Sequence, residues 1–287
     1  MRISATRCWL KRIGKAFTVW DIVANRKRIG YRAKARLLAI SLCENGVTWT
    51  LLLGVYYVLS RFAERTFVRL QKKKLMRGLP GTSSLRMNRE IWENWDWTAR
   101  GDEWTPSQEW KESIVRNVLR RWIPENGNIL EIGPGAGRWT EILLPMSSRF
   151  WGIDISERCI AICRERFSSY SKAEFYVTHG DDLARVPNDS VDALWSYDVF
   201  VHVNQCEFDL YACDFIRAMR SGAIGVIQHG KSGGKQGGWR SDLSAESVAR
   251  SLTDKGFEIV QQFDGWQEAG SDTPVGLYED VVTVFRR

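Results

Sequence analysis

Ile129-Leu-Glu-Ile-Gly-Pro-Gly-Ala-Gly137 is the stretch that decides the fold class of this chain. An apolar run ends in glycines at alternate positions, Gly133, Gly135 and Gly137. Such a loop lets the backbone turn tightly and come close to a ligand at a helix N-terminus. It is not the dinucleotide fingerprint G-x-G-x-x-G, because the sixth position is Arg138. Glu131 stands two residues before the first glycine. A carboxylate there suits a cationic ligand group better than a pyrophosphate.

Around this loop the chain alternates apolar strands with helical segments, the pattern of a doubly wound Rossmann-like α/β sheet. Strands are expected at Asn128–Gly133, Arg149–Ile155, Ala173–Gly180, Val191–Tyr197, Gly222–His229, 257–263 and 278–285. Helices are expected at Ala136–Pro145, 156–170, 205–220 and 244–255. Ligands of such sheets sit beyond the carboxyl ends of the strands, where strand order reverses. Four acids fall there, at the ends of three strands. Glu131 belongs to the first strand, Asp154 ends the second, where it can accept from a ribose diol, and Asp181 and Asp182 follow the third, where an adenine amino group can be met.

Ile129–Gly137, Asp154 and Gly180–Asp182 together resemble the binding motifs of class I S-adenosylmethionine-dependent methyltransferases. The resemblance covers roughly residues 110–287. It implies a seven-stranded sheet with the last strand antiparallel, and S-adenosyl-L-methionine as cofactor. By position, Gly133, Gly135 and Gly137 would hold the methionine end, Asp154 the ribose, and Asp181 and Asp182 would border the adenine.

The three histidines, His179, His202 and His229, are expected at or just past strand ends. His179 belongs with the adenine end. His229, His202 and Asp198 are the catalytic candidates, because the fourth and fifth strands are neighbours about 4.8 Å apart. An imidazole facing the methyl group can take a proton from a hydroxyl nucleophile. A histidine after the fourth strand can equally serve only as packing behind the cofactor. A metal held by Asp198 and the histidines has no spacing signature, and none is expected. Gly225-Val-Ile-Gln-His-Gly-Lys-Ser232 matches the phosphate-loop expression, but it is itself a strand, and glycine-rich 230–238 cannot propagate a helix after it. That segment reads as a loop at the rim of the site.

After the fourth strand stands Ser196-Tyr-Asp-Val199, without the prolines of DNA adenine methylation, and no Pro-Cys nucleophile appears. Residues 81–287 hold 23 Lys/Arg against 31 acids, a net −8 that repels a phosphate backbone. No nucleic-acid partner is expected. The acceptor is read as a small molecule, a glycan or a lipid-linked compound, with O-methylation as the reaction. Trp92, Trp95, Trp97, Trp104 and Trp110 crowd residues 91–110. They read either as a lid over the cofactor, with ring faces for a sugar, or as packing against the sheet.

Residues 1–80 carry 18 Lys/Arg against three acids, a net +15. Within this extension, the largely apolar stretch 37–60 carries a single charge, Glu44. As one helix these 24 residues would span about 36 Å at 1.5 Å per residue, enough for a bilayer core of about 30 Å. Both flanks are basic, however, so a single span would put one on the wrong side for the positive-inside preference. A segment dipping into an anionic leaflet, with both flanks on the cytoplasmic face, satisfies both observations. Trp49, Tyr56 and Tyr57 suit such an interface. The alternatives are an organellar transit peptide, since the first forty residues are Arg-rich and almost acid-free, and a soluble helix packed on the domain. The apolar run begins too late for a secretory signal peptide.

The organisation is therefore a basic extension (1–80), a Trp-rich lid (81–110) and a cofactor-binding domain (111–287). The 287 residues, 44% hydrophobic and 26% charged, exclude collagen-like and wholly disordered chains. Six scattered cysteines without a CxxC pair read as reduced thiols in a cytoplasmic compartment. The rival function is an inactive fold serving as a membrane-tethered binding module.

Overall fold

The structure is a computed structural model that describes residues 31–79, 81–233, 240–268 and 270–287. Most of the proposed transit peptide, with Cys8, and most of the glycine-rich segment 230–238 lie outside the described residues. The chain divides into two units, Met1–Leu79 and Pro80–Arg287.

In the first unit one helical element, α1 (Tyr31–Arg77), is broken at Gly46, whose φ of 79° no helix accommodates.

The second unit begins with two short helices. α2 (Leu85–Asn94) is capped by Ser84, whose hydroxyl accepts the Met87 N–H at 3.2 Å. α3 (Gln108–Ile114) is capped in the same way by Ser107. The chain then alternates through β1 (Gly127–Ile132), α4 (Thr140–Met146), β2 (Ser147–Asp154), α5 (Glu157–Arg166), β3 (Ala173–Val177), β4 (Val191–Ser196), α6 (Gln205–Ala218) and β5 (Met219–Gly230). It ends in α7 (Ala245–Asp254), β6 (Glu258–Phe263), the hairpin β7 (Gly265–Glu268) and β8 (Ser271–Pro274), and β9 (Asp280–Arg286).

Seven strands form one sheet in the order β3-β2-β1-β4-β5-β9-β6. All pairings are parallel except those of β9, which is antiparallel to both β5 and β6. This is the sheet that the resemblance implies, with the last strand reversed. Both faces are covered, which is why the strands read as continuous apolar runs. Ile129, Phe150, Trp195 and Val226 enter one core, while Leu130, Trp151, Leu194 and Ile227 enter the other. Order reverses between β1 and β4, and there the ligand crevice opens.

Two details depart from expectation. The helix after β1 starts at Thr140 rather than Ala136, because Gly133, Gly135 and Gly137 all adopt positive φ. The hairpin β7–β8 was not anticipated; its four-residue strands carry polar Gln267, Glu268, Ser271 and Asp272 and offer no apolar period.

Candidate active site

A cleft of about 490 Å³ opens beyond the carboxyl ends of β1 to β4. Its floor is the glycine loop. Gly133 has φ +70°, and a Cβ there would lie 2.2 Å from a Val199 methyl, so only glycine fits. A Cβ on Gly137, at φ +92°, would meet the Phe167 ring at 2.6 Å. The Gly135 N–H points instead into the site and donates to Asp154 Oδ2 at 3.1 Å.

Asp154 closes β2 on the cleft wall and also accepts the Ser156 N–H through Oδ1 at 2.9 Å. Burial pushes its carboxyl up to about 6, against the pull of the Ser156, Gly135 and Ile155 N–H groups. Two oxygens with two bonds made still have lone pairs for further donors.

Glu131 is not on the cleft wall. It is 1% exposed beneath the loop, where the Thr140 hydroxyl donates to it at 2.5 Å. Burial pushes it up to about 8, opposed by that bond and by the charge of Arg138. The sequence reading aimed this carboxylate at the ligand directly; the fold uses it to tie β1 to the start of α4.

On the β3 side the wall is made by Thr178 and Gly180, not by Asp181 or Asp182. The Asp182 carboxylate accepts the His179 N–H at 3.3 Å and the Ala184 N–H at 2.9 Å, folding its own loop. Asp181 is half-buried beside it, and His179 is exposed. Neither aspartate expected at an adenine lines the cleft, and Asp182 folds its own loop.

The histidines separate. His202 is half-buried on the cleft wall, its ring 5.4 Å from that of Trp92. His229 is fully buried in the sheet. Its Nδ1 lies 2.9 Å from the Gly230 carbonyl and its Nε2 lies 2.7 Å from the Thr283 hydroxyl. The carbonyl only accepts, so Nδ1 carries the proton and Nε2 accepts from Thr283. Burial pushes this imidazole down to about 4. His229, expected as a base, has no free nitrogen and no place on the cleft. Asp198 does reach the cleft, but its carboxylate is paired with Arg138.

Trp92, Trp95, Trp97 and Trp104 line the cleft, with ring centroids 5.4–5.9 Å apart. Trp97 reaches under the loop to Gly135. Trp110 instead joins the sheet core, donating from Nε1 to the Pro274 carbonyl at 2.8 Å. Polar bonds fasten α2 across the strand ends: Asn88 donates to the His202 carbonyl at 2.9 Å, and the Ser156 hydroxyl donates to Glu93 at 2.6 Å.

Residues 129–222 match a family described as a methyltransferase domain. An uncharacterized methyltransferase of Bacillus mycoides (strain KBAB4) is 31% identical over 112 residues, 39% of this chain and 49% of that protein. A counterpart in Bacillus cereus (strain 03BB102) is 30% identical over the same length and shares. The chain spans about half the length of the curated relatives it matches. In fold, the chain is similar to the N-methyltransferase NodS from Bradyrhizobium japonicum WM9, solved with S-adenosyl-L-homocysteine. That likeness has a TM-score of 0.54 at 19% identity and covers 71% of this chain and 98% of that one. The chain carries a methyltransferase domain at residues 129–222, on a sheet of the class I methyltransferase fold.

At this cleft the sequence reading missed two arginines. Arg138, which it counted only as a departure from a fingerprint, is 6% exposed and stacks on the Trp139 ring at 4.9 Å. Arg240 follows the segment outside the described residues, pairs with buried Asp280 and lies over Tyr278 at 4.9 Å. Both stand on the cleft near Asp198. The position of Arg138 directly after Gly137 was the available signal; Arg240 had none, because its partner is 40 residues away.

Proposed function

We propose that the protein transfers a methyl group from S-adenosyl-L-methionine to an oxygen of a small-molecule, sugar or lipid-linked acceptor. The observation that carries this reading is the composition of one cleft, with the glycine loop and Asp154 on one side and His202 among tryptophans on the other.

The residues fit the cofactor. Asp154 has spare lone pairs for two ribose hydroxyls, and the Trp97 ring beside Gly135 offers a π-face of the kind that attracts a cation. When bound, S-adenosyl-L-methionine supplies an electrophilic methyl group on a sulfonium centre. Asp154 would orient the ribose, and Glu131 would hold the loop through Thr140. The His202 imidazole takes the proton of the acceptor hydroxyl as its oxygen turns nucleophilic. The tryptophan wall excludes water and gives ring faces to a sugar or an apolar acceptor. Asp198, paired with Arg138, is a positioning group and not a base. The −8 charge of residues 81–287 disfavours a nucleic-acid acceptor. The rival reading, an inactive fold, draws no support from the site, since the glycines, Asp154 and His202 all stand at the cleft.

The test is incubation of the full chain with methyl-labelled cofactor and separate lipid, glycan and metabolite extracts. Label in one fraction, released by treatments that cleave methyl ethers or esters, is the expected result. His202→Ala should lower kcat by roughly 10²–10⁴ with S-adenosylhomocysteine affinity unchanged. A chain that binds S-adenosylhomocysteine yet labels nothing would favour the inactive module.

A further inference from the structure

Ser41 Oγ and Thr50 Oγ1 lie 2.9 Å apart across the break at Gly46, and both residues are buried. Leu38 and Leu42 share one apolar groove of about 520 Å³ with Leu51, Val55, Val58 and Leu59. In an unbroken helix Leu38 and Leu59 would be about 31 Å apart. The element therefore folds back on itself at Gly46 into two arms.

The arms are apolar and uncovered, the side chains of the groove included. Leu51, Val58 and Leu59 are each more than 60% exposed, and Leu52, Val55 and Trp49 at least half. Exposed apolar surface of this extent marks a docking face. Charge says for what. Arg32, Lys34 and Arg36 precede the apolar segment, and Arg61, Arg65, Arg69, Lys72, Lys73, Lys74 and Arg77 follow it, against the single acid Glu64. Folding back brings Arg36 and Arg61 to the same open end of the hairpin.

We propose that residues 37–60 are a helical hairpin that docks on an anionic lipid leaflet, entering and leaving through the same face. From Arg36 to the turn is about 15 Å, and from the turn to Arg61 about 22 Å, so neither arm crosses a hydrocarbon core of about 30 Å. The turn Glu44-Asn45-Gly46 is polar. An oblique hairpin keeps it in reach of headgroups while the Leu and Val side chains enter the acyl region. The basic flanks then meet the anionic headgroups from one side, which a single span does not allow. The inference stands on the first unit alone and is independent of the chemistry of the cleft.

The full chain, floated with vesicles of phosphatidylcholine containing one-third phosphatidylglycerol, should rise with them, and less so with phosphatidylcholine alone. Molar salt should weaken this binding without abolishing it, because the apolar part is not screened. Lys72→Gln with Lys73→Gln should weaken low-salt binding about thirtyfold. Leu51→Asp with Val58→Asp should remove the salt-resistant part, with an unchanged thermal melt showing that the chain still folds. Trypsin outside sealed vesicles should cut on both sides of 37–60. Failure to float with either vesicle would overturn the proposal. So would protection of just one flank, which indicates a span, or a salt-resistant dimer that ignores vesicles, which indicates that a second copy covers the hairpin.

Discussion

Arg138 and Asp198 form an ion pair at the cleft, the guanidinium side chain 6% exposed and the carboxylate 28%. Asp198 is held for it at φ 62°, its N–H donating to Gln228 Oε1 at 2.8 Å. Asn tolerates the same left-handed backbone, so Asp198→Asn removes the charge and little else. The buried guanidinium is then uncompensated, at a cost of about 3 kcal/mol in unfolding free energy. Adding Arg138→Met should restore part of that loss. Urea denaturation of the three variants measures it, and a single variant as stable as wild type would mean the pair is solvated.

The loop makes a sharper steric statement. Gly133→Ala introduces a Cβ 2.2 Å from a Val199 methyl at φ +70°. The left-handed backbone costs about 1–2 kcal/mol and the overpacking about 1–3 more. Val199→Ala removes both γ carbons, so the double variant should recover the packing part and keep the backbone part. If the double variant is no more stable than Gly133→Ala alone, Val199 is not the obstacle.

What the sequence made legible follows from range. Gly133, Asp154 and the strands themselves rest on local spacing and on apolar runs that a sheet covered on both faces explains, while the sheet's arrangement was what the resemblance of those motifs implied. The cleft's polar pairs were not legible, because Arg138 meets Asp198 across 60 residues and Arg240 meets Asp280 across 40. His229 failed for a subtler reason. Its strand was located correctly, but alternation within a strand sends neighbouring side chains to opposite faces, and the face this residue takes leads to Thr283. Glu131 lies on the expected strand and is likewise turned away from the cleft, toward Thr140.

His229 should accordingly act on stability rather than turnover. Its folded value of about 4 lies below the unfolded 6.5, so between these pH values the unfolded chain binds more protons. Stability rises with pH through that window; it is fully present above 6.5 and is lost as pH falls to 4. The shift corresponds to about 3 kcal/mol. Unfolding free energies of wild type and His229→Gln, measured from pH 4 to 7.5, should differ by a curve of that sign and rough size. The pH–rate profile of methyl transfer should be the same in both. A rate profile that loses a limb in the variant would return His229 to the chemistry.

Asp154 couples the site to pH through affinity rather than stability. Its carboxyl titrates near 6, and only the ionised form offers both oxygens to a ribose diol beside the Gly135 and Ser156 N–H groups. Affinity for S-adenosylhomocysteine should therefore be level above about pH 6.5 and fall toward tenfold per unit below 5.5. Charge-assisted hydrogen bonds contribute about 1.5–3 kcal/mol each, so Asp154→Ala should weaken binding on the order of a hundredfold at pH 7.5. Asp154→Asn keeps the shape and one acceptor oxygen; it should bind more weakly than wild type at pH 7.5 and lose the acid limb. Isothermal titration at half-unit intervals from pH 5 to 7.5 separates the outcomes. An acid limb that survives in Asp154→Asn would assign the titration to another group, and unchanged affinity in a folded Asp154→Ala would remove this residue from the ribose site.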